Sequence, residues 1–143
     1  MKQEWPDLVD GEFELSAEGE RLWRQSAPAY LEQDGTLSYL VFRPMSNDDR
    51  KLSVSRETEV TAKEAYDNHV ESGRPSLGTL GVHVGDVRDH AGLRSVDDSA
   101  TSDDVPEGHA YIDFRPLTKQ QTNTAAELLL RRALANGWSY RPG

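Results

Sequence analysis

Two arginines in matching contexts are the first residues that could take part in chemistry. Arg43 lies in YLVFRP (39–44) and Arg115 in YIDFRP (111–116), so a proline follows each. Proline lacks the N–H group that a sheet requires and favours extended backbone before it, which predicts both arginines at strand ends. If the two guanidinium groups met at one rim of a sheet, they could clamp a phosphate or a carboxylate. The alternative is that the motif only ends two strands and that each arginine forms an ordinary ion pair.

Histidine and carboxylate residues are present, but their spacing does not define a site. His83, Asp86 and His90 could share a metal ion if the chain turned between them, yet metal ligands must converge at about 2 Å and this spacing does not enforce it. The paired aspartates at 97–98 and 103–104 fall in a predicted loop without apolar walls that would raise a pKa. Neither a GxSxG turn nor a phosphate-binding loop occurs. We therefore predict no catalytic residue, no metal site and no cofactor.

Charge and composition restrict the kinds of partner. The chain has 143 residues, no cysteine, and 25 acidic against 16 basic residues, for a net charge of −9. Its length suits one domain with a real core. The negative charge disfavours nucleic acid as a partner, and no stretch approaches the roughly 20 apolar residues of a membrane span. These features are typical of a small, soluble, acidic protein, which we expect in the cytoplasm.

Two helices are predicted from their first residues. Thr61 with Glu64, and Thr118 with Gln121, have the spacing of capping boxes, in which two side chains satisfy free backbone N–H groups at a helix start. Apolar residues follow at helical spacing in both segments. Each helix is predicted to end at the next glycine in the chain, because glycine readily adopts the left-handed conformation that stops a helix.

Strands are predicted at 37–42, 51–57, 79–87 and 109–114, where apolar residues alternate with polar ones or are β-branched. Asp34-Gly35 indicates a tight turn before the first of them. Residues 94–108 contain few large apolar groups and four aspartates, which predicts a mobile acidic loop.

The order of these elements indicates an α+β fold, with a single mostly antiparallel sheet and two main helices packed on it. Residues 1–20 are predicted to form an acidic N-terminal arm that contains a short strand and is held by apolar side chains. Residues 21–143 are predicted to form one α+β domain.

A distributed pattern extends over residues 22–140. It consists of Arg24-Gln25 with Pro28, Asp34-Gly35, Phe42-x-Pro44, Asp48 or Asp49, Leu52-Ser53-Val54, Gly81-Val82 with Val84, Ile112-Asp113-Phe114 and Gly137-Trp138. The pattern resembles that of a group of small uncharacterised bacterial proteins, many of which have histidine in place of Ala27. The resemblance implies a shared fold and no particular activity.

A looser resemblance concerns the order of an early arginine (Arg24 in LWRQ), a serine-containing strand, and LSV before a helix. This order is similar to that of the ADP-ribosyltransferases. The resemblance implies that the early arginine holds a dinucleotide, with Ser38 or Ser53 nearby, but no matching late glutamate is present. Together with the two Phe-Arg-Pro arginines, it suggests five candidates for binding a nucleotide-like anion: Arg24, Gln25, Arg43, Ser53 and Arg115.

Two functions remain open. The leading hypothesis is a non-catalytic protein-interaction or regulatory module, from a bacterial conflict or mobile-element context, because the surface is acidic and no catalytic constellation is found. It requires a protein partner and predicts that Trp5 or Trp138 is exposed in an apolar patch.

The alternative hypothesis is a nucleotide-binding or ADP-ribosyltransferase-like enzyme, or a degenerate relative of one. It requires a small anionic ligand and predicts a pocket in which Arg24 and Arg43 converge with Gln25 or Ser53.

Overall fold

The computed structural model describes residues 4–45 and 48–143. Its strands are β1 (Phe13–Glu14), β2 (Arg21–Gln25), β3 (Lys51–Arg56), β4 (Thr79–His83), β5 (Ser95–Asp97) and β6 (His109–Asp113). Its helices are α1 (Ala62–Glu71), α2 (Val84–Asp89) and α3 (Lys119–Asn136), with 3-10 turns at Pro28–Tyr30 and Tyr39–Phe42. The strands form one antiparallel sheet in the order β1-β5-β6-β3-β2-β4. The predicted α+β fold, with a single sheet and two main helices, is confirmed.

One face of the sheet holds the hydrophobic core. Leu52 and Val54 point to this face because successive residues of a strand point to opposite sides. Helices α2 and α3 and the 3-10 turn Tyr39–Phe42 pack over it. The fully buried side chains here include Leu22, Val41, Phe42, Leu80, Val82, Ile112, Phe114 and Leu129.

The opposite face is only partly covered. Helix α1, 10 residues long, packs on β2 and β4. Thr79 Oγ1 donates a hydrogen bond to the carbonyl of Ala62 at 3.0 Å, and Trp23 Nε1 donates one to the carbonyl of Val60 at 2.9 Å. Because α1 does not extend over β3, Ser53 remains exposed, and a cleft lies between the helix and this strand.

The two Phe-Arg-Pro segments differ in structure. The second ends β6 as predicted, but the strand predicted at 37–42 is wrong because Tyr39–Phe42 is a 3-10 helix. The Ser38 hydroxyl accepts a hydrogen bond from Leu40 N–H at 3.2 Å, a local bond that favours a helical turn over a sheet. The Asp34-Gly35 turn is present, closed by a single bridge between Leu31 and Leu37.

Two other segments also depart from prediction. The strand predicted at 79–87 ends at His83, where the chain turns into α2. Apolar spacing changes there from two residues to three between Val84 and Val87, which is the change from strand to helix periodicity. The predicted loop 94–108 begins as β5, which pairs with both β1 and β6.

The N-terminal arm is tied to the sheet by long-range hydrogen bonds. The Trp5 indole N–H donates to the carbonyl of Asp113 at 3.4 Å, and Arg94 Nη2 donates to the carbonyl of Pro6 at 2.7 Å. Tyr111 donates its phenolic hydrogen to Glu12 Oε2 at 2.7 Å. The short strand predicted in this arm is present as β1.

Both predicted capping boxes are present, and the one at α3 allows a test. The Thr118 hydroxyl accepts from Gln121 N–H at 3.2 Å, and Gln121 Oε1 accepts from Thr118 N–H at 2.9 Å. We expect Thr118→Ala to lower the free energy of unfolding by about 1 kcal/mol, because an N–H group at the start of α3 loses its protein acceptor. Urea denaturation of Thr118→Ala and Thr118→Ser measures this, and equal stability of the two variants would contradict it.

Across residues 4–45 and 48–143, none of the helices combines the length and the apolar character needed to cross a bilayer.

Candidate functional site

A cleft of about 390 Å³ lies beside α1, on the side of the sheet away from the core. Its floor is formed by parts of β2 and β3 together with His109 at the start of β6. Its walls are formed by α1, by the segment that follows α1 as far as Arg74, and by Pro106 and Glu107. Most of the lining side chains are polar, and two of them are arginines.

The floor of the cleft contains a split in the sheet. Strands β2 and β3 pair only at Leu22–Arg56 and Trp23–Ser55, although β2 continues to pair with β4 as far as Gln25. Beyond Trp23 the two strands therefore separate, which leaves the carbonyl of Ser53 without a partner in β2. The guanidinium of Arg24 fills the gap: its Nε donates to the carbonyl of Val41 at 2.7 Å and its Nη1 to the carbonyl of Ser53 at 3.0 Å.

Arg24 is a half-buried cation whose hydrogen-bond acceptors are neutral. In the part of the chain that the structure describes, no carboxylate lies within salt-bridge distance of it. Burial is the main cause that lowers the pKa of the Arg24 guanidinium, and the positive charge of Arg74 lowers it further, while Tyr30 and Asp48 act in the opposite direction. Arginine remains charged in proteins, so the positive charge is not cancelled locally.

A second cation, Arg74, lines the wall of the cleft that follows α1. Arg74 is exposed, and its Nε donates to the hydroxyl of Ser72 at 3.0 Å. Burial, followed by the positive charges of Arg74 and Arg24, lowers the pKa of His69 to about 4. His69 is therefore neutral at pH 7, and among the described residues Glu107 is the one carboxylate of the lining. The cleft is locally positive in a protein whose net charge is −9.

His109, one of the lining residues, forms a pair with Asp98. His109 Nδ1 and Asp98 Oδ1 are 2.6 Å apart, and both side chains are largely buried. An aspartate beside Nδ1 favours the tautomer with its proton on that nitrogen, which leaves Nε2 as a proton acceptor.

The structure brings three of the five predicted anion-binding residues together. Arg24, Gln25 and Ser53 line the cleft, and Gln25 Nε2 donates to Thr79 Oγ1 at 2.9 Å. Arg43 lies outside the cleft lining, and its Nε donates to Asn123 Oδ1 on α3 at 2.7 Å. Arg115 also lies outside the lining and forms a salt bridge with Asp113 at 2.8 Å, the ordinary ion pair considered as the alternative.

Sequence reasoning missed Arg74, His69 and His109. His69 falls at helical spacing among the apolar residues of α1, and it is half-buried there. Arg74 directly follows the glycine that ends this helix, but nothing local distinguishes it from other loop arginines. His109 is a strand residue whose partner, Asp98, belongs to the segment predicted as a mobile loop.

Two other concave regions are less suited to a charged ligand. A region of about 430 Å³ at the start of α3 is lined, as far as the described residues show, by uncharged side chains. One of about 370 Å³ near the N-terminal arm contains Arg88 and Arg94, but each already pairs with a carboxylate, Arg88 with Glu18 and Arg94 with Asp113.

The histidines considered for a metal are gathered around Asp86. His83 Nδ1 and His90 Nε2 each lie 3.7 Å from a carboxylate oxygen of Asp86. Arg132 Nη2 is 3.3 Å from Asp86 Oδ1 and 2.9 Å from His90 Nε2, so a guanidinium occupies the space between these side chains. Within the described residues, no group of three such side chains is arranged to hold a metal ion.

Comparisons of the chain with protein-family models, with curated proteins and with solved structures found no match. The resemblances to the group of small bacterial proteins and to the ADP-ribosyltransferases therefore stay predictions, and function is inferred here from the cleft.

Proposed function

We propose that this protein binds a small anionic ligand in the cleft, through Arg24 and Arg74. The supporting observation is that the half-buried guanidinium of Arg24 donates only to carbonyl oxygens and has no carboxylate partner among residues 4–45 and 48–143. A buried charge is unfavourable unless an opposite charge compensates it. A bound phosphate or carboxylate would supply that compensation.

The hydrogen-bonding capacity of the two arginines is sufficient for such a ligand. A guanidinium has five N–H groups, and the two bonds of Arg24 to backbone carbonyls leave about three of them for a ligand. Arg74 is held through its Nε alone, so both of its terminal nitrogens are available among the described contacts. Two guanidinium groups in the lining of one cleft favour ligands with several acidic oxygens, which arginine binds in pairs.

The dimensions of the cleft restrict the ligand. A volume of about 390 Å³ lies near the lower end of the range of about 300–1,000 Å³ that is typical of ligand pockets. Neutral polar side chains, among them Asn68, Ser72 and Gln25, surround the two cations. These features suit a small phosphorylated or carboxylated molecule with a polar body.

This proposal develops the alternative hypothesis from the sequence, with Arg74 in the place expected for Arg43. The leading hypothesis, a protein-interaction module, depended on an exposed tryptophan. Trp5 and Trp138 are both half-buried, and the guanidinium of Arg94 or Arg141, respectively, stacks on each ring at about 5 Å. A protein partner therefore stays a prediction that neither indole supports.

A thermal-shift titration with two variants tests the proposal. The probes are inorganic phosphate, AMP, ADP-ribose, NAD and citrate, and a ligand at 100 times its Kd should stabilise the wild type by about 2.7 kcal/mol. We expect Arg74→Ala to weaken binding by about 10- to 100-fold, because a charge-assisted hydrogen bond contributes about 1.5–3 kcal/mol. Arg24→Lys keeps the charge but lacks the planar fork, so it should weaken binding as well.

Arg131→Ala is the matched control, because Arg131 is an exposed arginine on α3 that pairs with Glu127. It should bind each probe as the wild type does. The proposal is wrong if none of the probes stabilises the wild type, or if Arg74→Ala and Arg24→Lys bind a stabilising probe with unchanged affinity.

A further inference from the structure

The pairing of β3 with β6 places a serine beside the histidine of the cleft. The Phe114 N–H donates to the carbonyl of Arg50 at 2.9 Å, and the Arg56 N–H donates to that of Gly108 at 2.9 Å. Hydrogen-bonded and non-hydrogen-bonded pairs alternate along an antiparallel ladder, so Ser55 and His109, which face each other, form a non-hydrogen-bonded pair. In such pairs the Cα atoms are about 4.5 Å apart and the side chains lie closest.

The hydroxyl of Ser55 has no structural role in the part of the chain that is described. It makes no hydrogen bond there, although the residue is half-buried, and both Ser55 and His109 line the cleft. The Nε2 atom of His109 likewise has no hydrogen-bond partner among the described residues, whereas its Nδ1 is held by Asp98 at 2.6 Å.

From this arrangement we infer that the cleft hydrolyses a carboxylic ester, with Ser55 as nucleophile, His109 as general base and Asp98 as the residue that orients the histidine. Nucleophile, base and orienting carboxylate are the three parts that activate a serine in hydrolases. Here the cross-strand pairing brings Ser55 beside His109, and the contact of His109 with Asp98 orients the imidazole, while the hydrogen bond from Ser55 to Nε2 forms only when the serine attacks. The substrate class, an ester with a phosphate or carboxylate group held by Arg24 and Arg74, rests on the proposed function. The catalytic roles of Ser55, His109 and Asp98, together called the serine array, do not rest on the proposed function.

The reaction proceeds in two balanced steps. Ser55 Oγ bonds to the ester carbonyl carbon while its proton passes to His109 Nε2, and the resulting oxyanion collapses to expel the alcohol, which takes the proton from His109. Water then attacks the acyl-serine with His109 as base, which releases the carboxylic acid and restores Ser55. The net reaction is ester plus water to acid plus alcohol. The Asp98 carboxylate stabilises the imidazolium that forms in each step.

The first test needs no variant. The intact wild-type protein is treated with an alkyl fluorophosphonate, which phosphonylates activated serines, and is then cleaved with trypsin. Residues 52–56 are released as LSVSR, because trypsin cleaves the chain after Lys51 and after Arg56. Fragmentation of this peptide distinguishes Ser53 from Ser55. We expect the label on Ser55, and its absence from the peptide, or its presence on Ser53, would overturn the inference.

The second test measures hydrolysis of two 4-nitrophenyl esters, the neutral acetate and the anionic hydrogen succinate. Ser55→Ala, His109→Ala and Asp98→Asn should each reduce kcat/KM for both esters, by about 1,000-fold or more. Ser16→Ala and His90→Ala, which lie outside the cleft lining, are the controls and should leave kcat/KM unchanged. Thermal unfolding of each variant shows that it is folded before its rate is compared.

The variant Arg74→Ala tests whether the anionic group of the substrate binds in the cleft, separately from the catalytic roles of the serine array. It should reduce kcat/KM for the succinate ester by about 10-fold or more, which is the loss of one charged contact, and leave that for the acetate ester unchanged. An equal effect on the two esters would support the serine array and overturn the anionic substrate. Wild-type protein that binds phosphate through Arg74 but hydrolyses neither ester faster than buffer would overturn the array and leave the proposed function intact.

Discussion

Replacing Arg56 by methionine should lower the free energy of unfolding by about 3–5 kcal/mol at pH 7. Arg56 Nε lies 2.8 Å from Glu20 Oε2, and its Nη1 lies 2.8 Å from Asp97 Oδ2. The two carboxylate side chains are only 3% and 4% exposed. Methionine keeps most of the apolar stem and removes the charge, so two buried carboxylates would lose the cation that compensates both.

Urea denaturation with Arg21→Met as the control measures this loss. Arg21 lies on the neighbouring strand and pairs with Glu57 at 2.8 Å, but its side chain is 43% exposed. Exposed pairs contribute at most about 1 kcal/mol, so the control should lose little. Adding Glu20→Gln and Asp97→Asn to Arg56→Met should recover much of the stability, because no buried charge remains uncompensated. Equal losses for Arg56→Met and Arg21→Met would contradict the interpretation.

The cluster of Glu20, Arg56 and Asp97 also makes the free energy of unfolding depend on pH. Burial alone would raise the pKa of the Asp97 carboxyl, but hydrogen bonds from Ser99 and Arg56 outweigh it and hold that pKa below its ordinary value. A carboxyl with a lowered folded-state pKa stabilises the fold above its unfolded pKa of about 3.9 and loses this contribution as the pH falls through the folded value. Urea midpoints measured from pH 7 down to pH 3 should therefore decrease below about pH 4. In Arg56→Met, the decrease should be smaller, because burial then raises the pKa of Asp97 without the opposing hydrogen bond from that arginine.

The second large effect is expected at Asp113, whose side chain is fully buried. Arg94 and Arg115 contact its carboxylate at 3.0 and 2.8 Å, and the two hydrogen-bonded arginines together hold the pKa of Asp113 below its ordinary value against the opposing effect of burial. Asp113→Ala leaves two guanidinium groups, 9% and 15% exposed, without their anion. We expect a loss of about 3–5 kcal/mol in the free energy of unfolding.

Asp113→Ala should also release the N-terminal arm. Arg94 donates to the carbonyl of Pro6 and stacks on Trp5, so the carboxylate that positions Arg94 also positions the arm. Limited proteolysis at low protease concentration should cleave the arm of the variant faster than that of the wild type. Asp89→Ala, which removes an exposed partner of Arg88, is the control and should not change the cleavage rate. An arm that remains protected in a destabilised Asp113→Ala protein would show that Arg94 does not depend on this carboxylate.

The features that sequence predicted correctly depend on neighbours within a few residues. Each capping box is formed by two side chains three positions apart, so the starts of α1 and α3 needed no long-range information. The alternation of Leu52 and Val54 with serines likewise identified β3 because one face of that strand is buried and the other is not. Fold class followed from these local signals in their order along the chain.

The features that were missed depend on distant partners. Tyr39–Phe42 is a short apolar run whose periodicity does not separate strand from helix, and packing against α3 and the hydroxyl of Ser38 decide its structure. The β5 strand contains one apolar residue, Val96, between Ser95 and Asp97. The buried Asp97 carboxylate accepts a hydrogen bond from Arg56, which is 41 positions away in the sequence.

The residues of the cleft were also hard to predict, because their partners are distant in the sequence. Arg24 and Arg43 each follow an aromatic residue, and the sequence does not reveal their acceptors: Arg24 donates to carbonyls in the split of the sheet, whereas Arg43 donates to Asn123, which is 80 positions away. His109 could not be linked to Asp98 without the turn that joins β5 to the loop. The sequence therefore identified Arg24, Gln25 and Ser53 as candidates, but it did not show which of the candidate arginines would line the cleft.

The anchoring of Arg24 in the split between β2 and β3 has a thermodynamic consequence for any ligand. Immobilising an arginine side chain costs about 2 kcal/mol of rotamer entropy, and for Arg24 the bonds to Val41 and Ser53 impose this loss during folding, before a ligand arrives. Arg74, exposed and held by Ser72 alone, loses its freedom only on binding. Under the proposed function, part of the ligand affinity depends on the position of the Tyr39–Phe42 turn, because its Val41 carbonyl fixes the Arg24 guanidinium before a ligand binds.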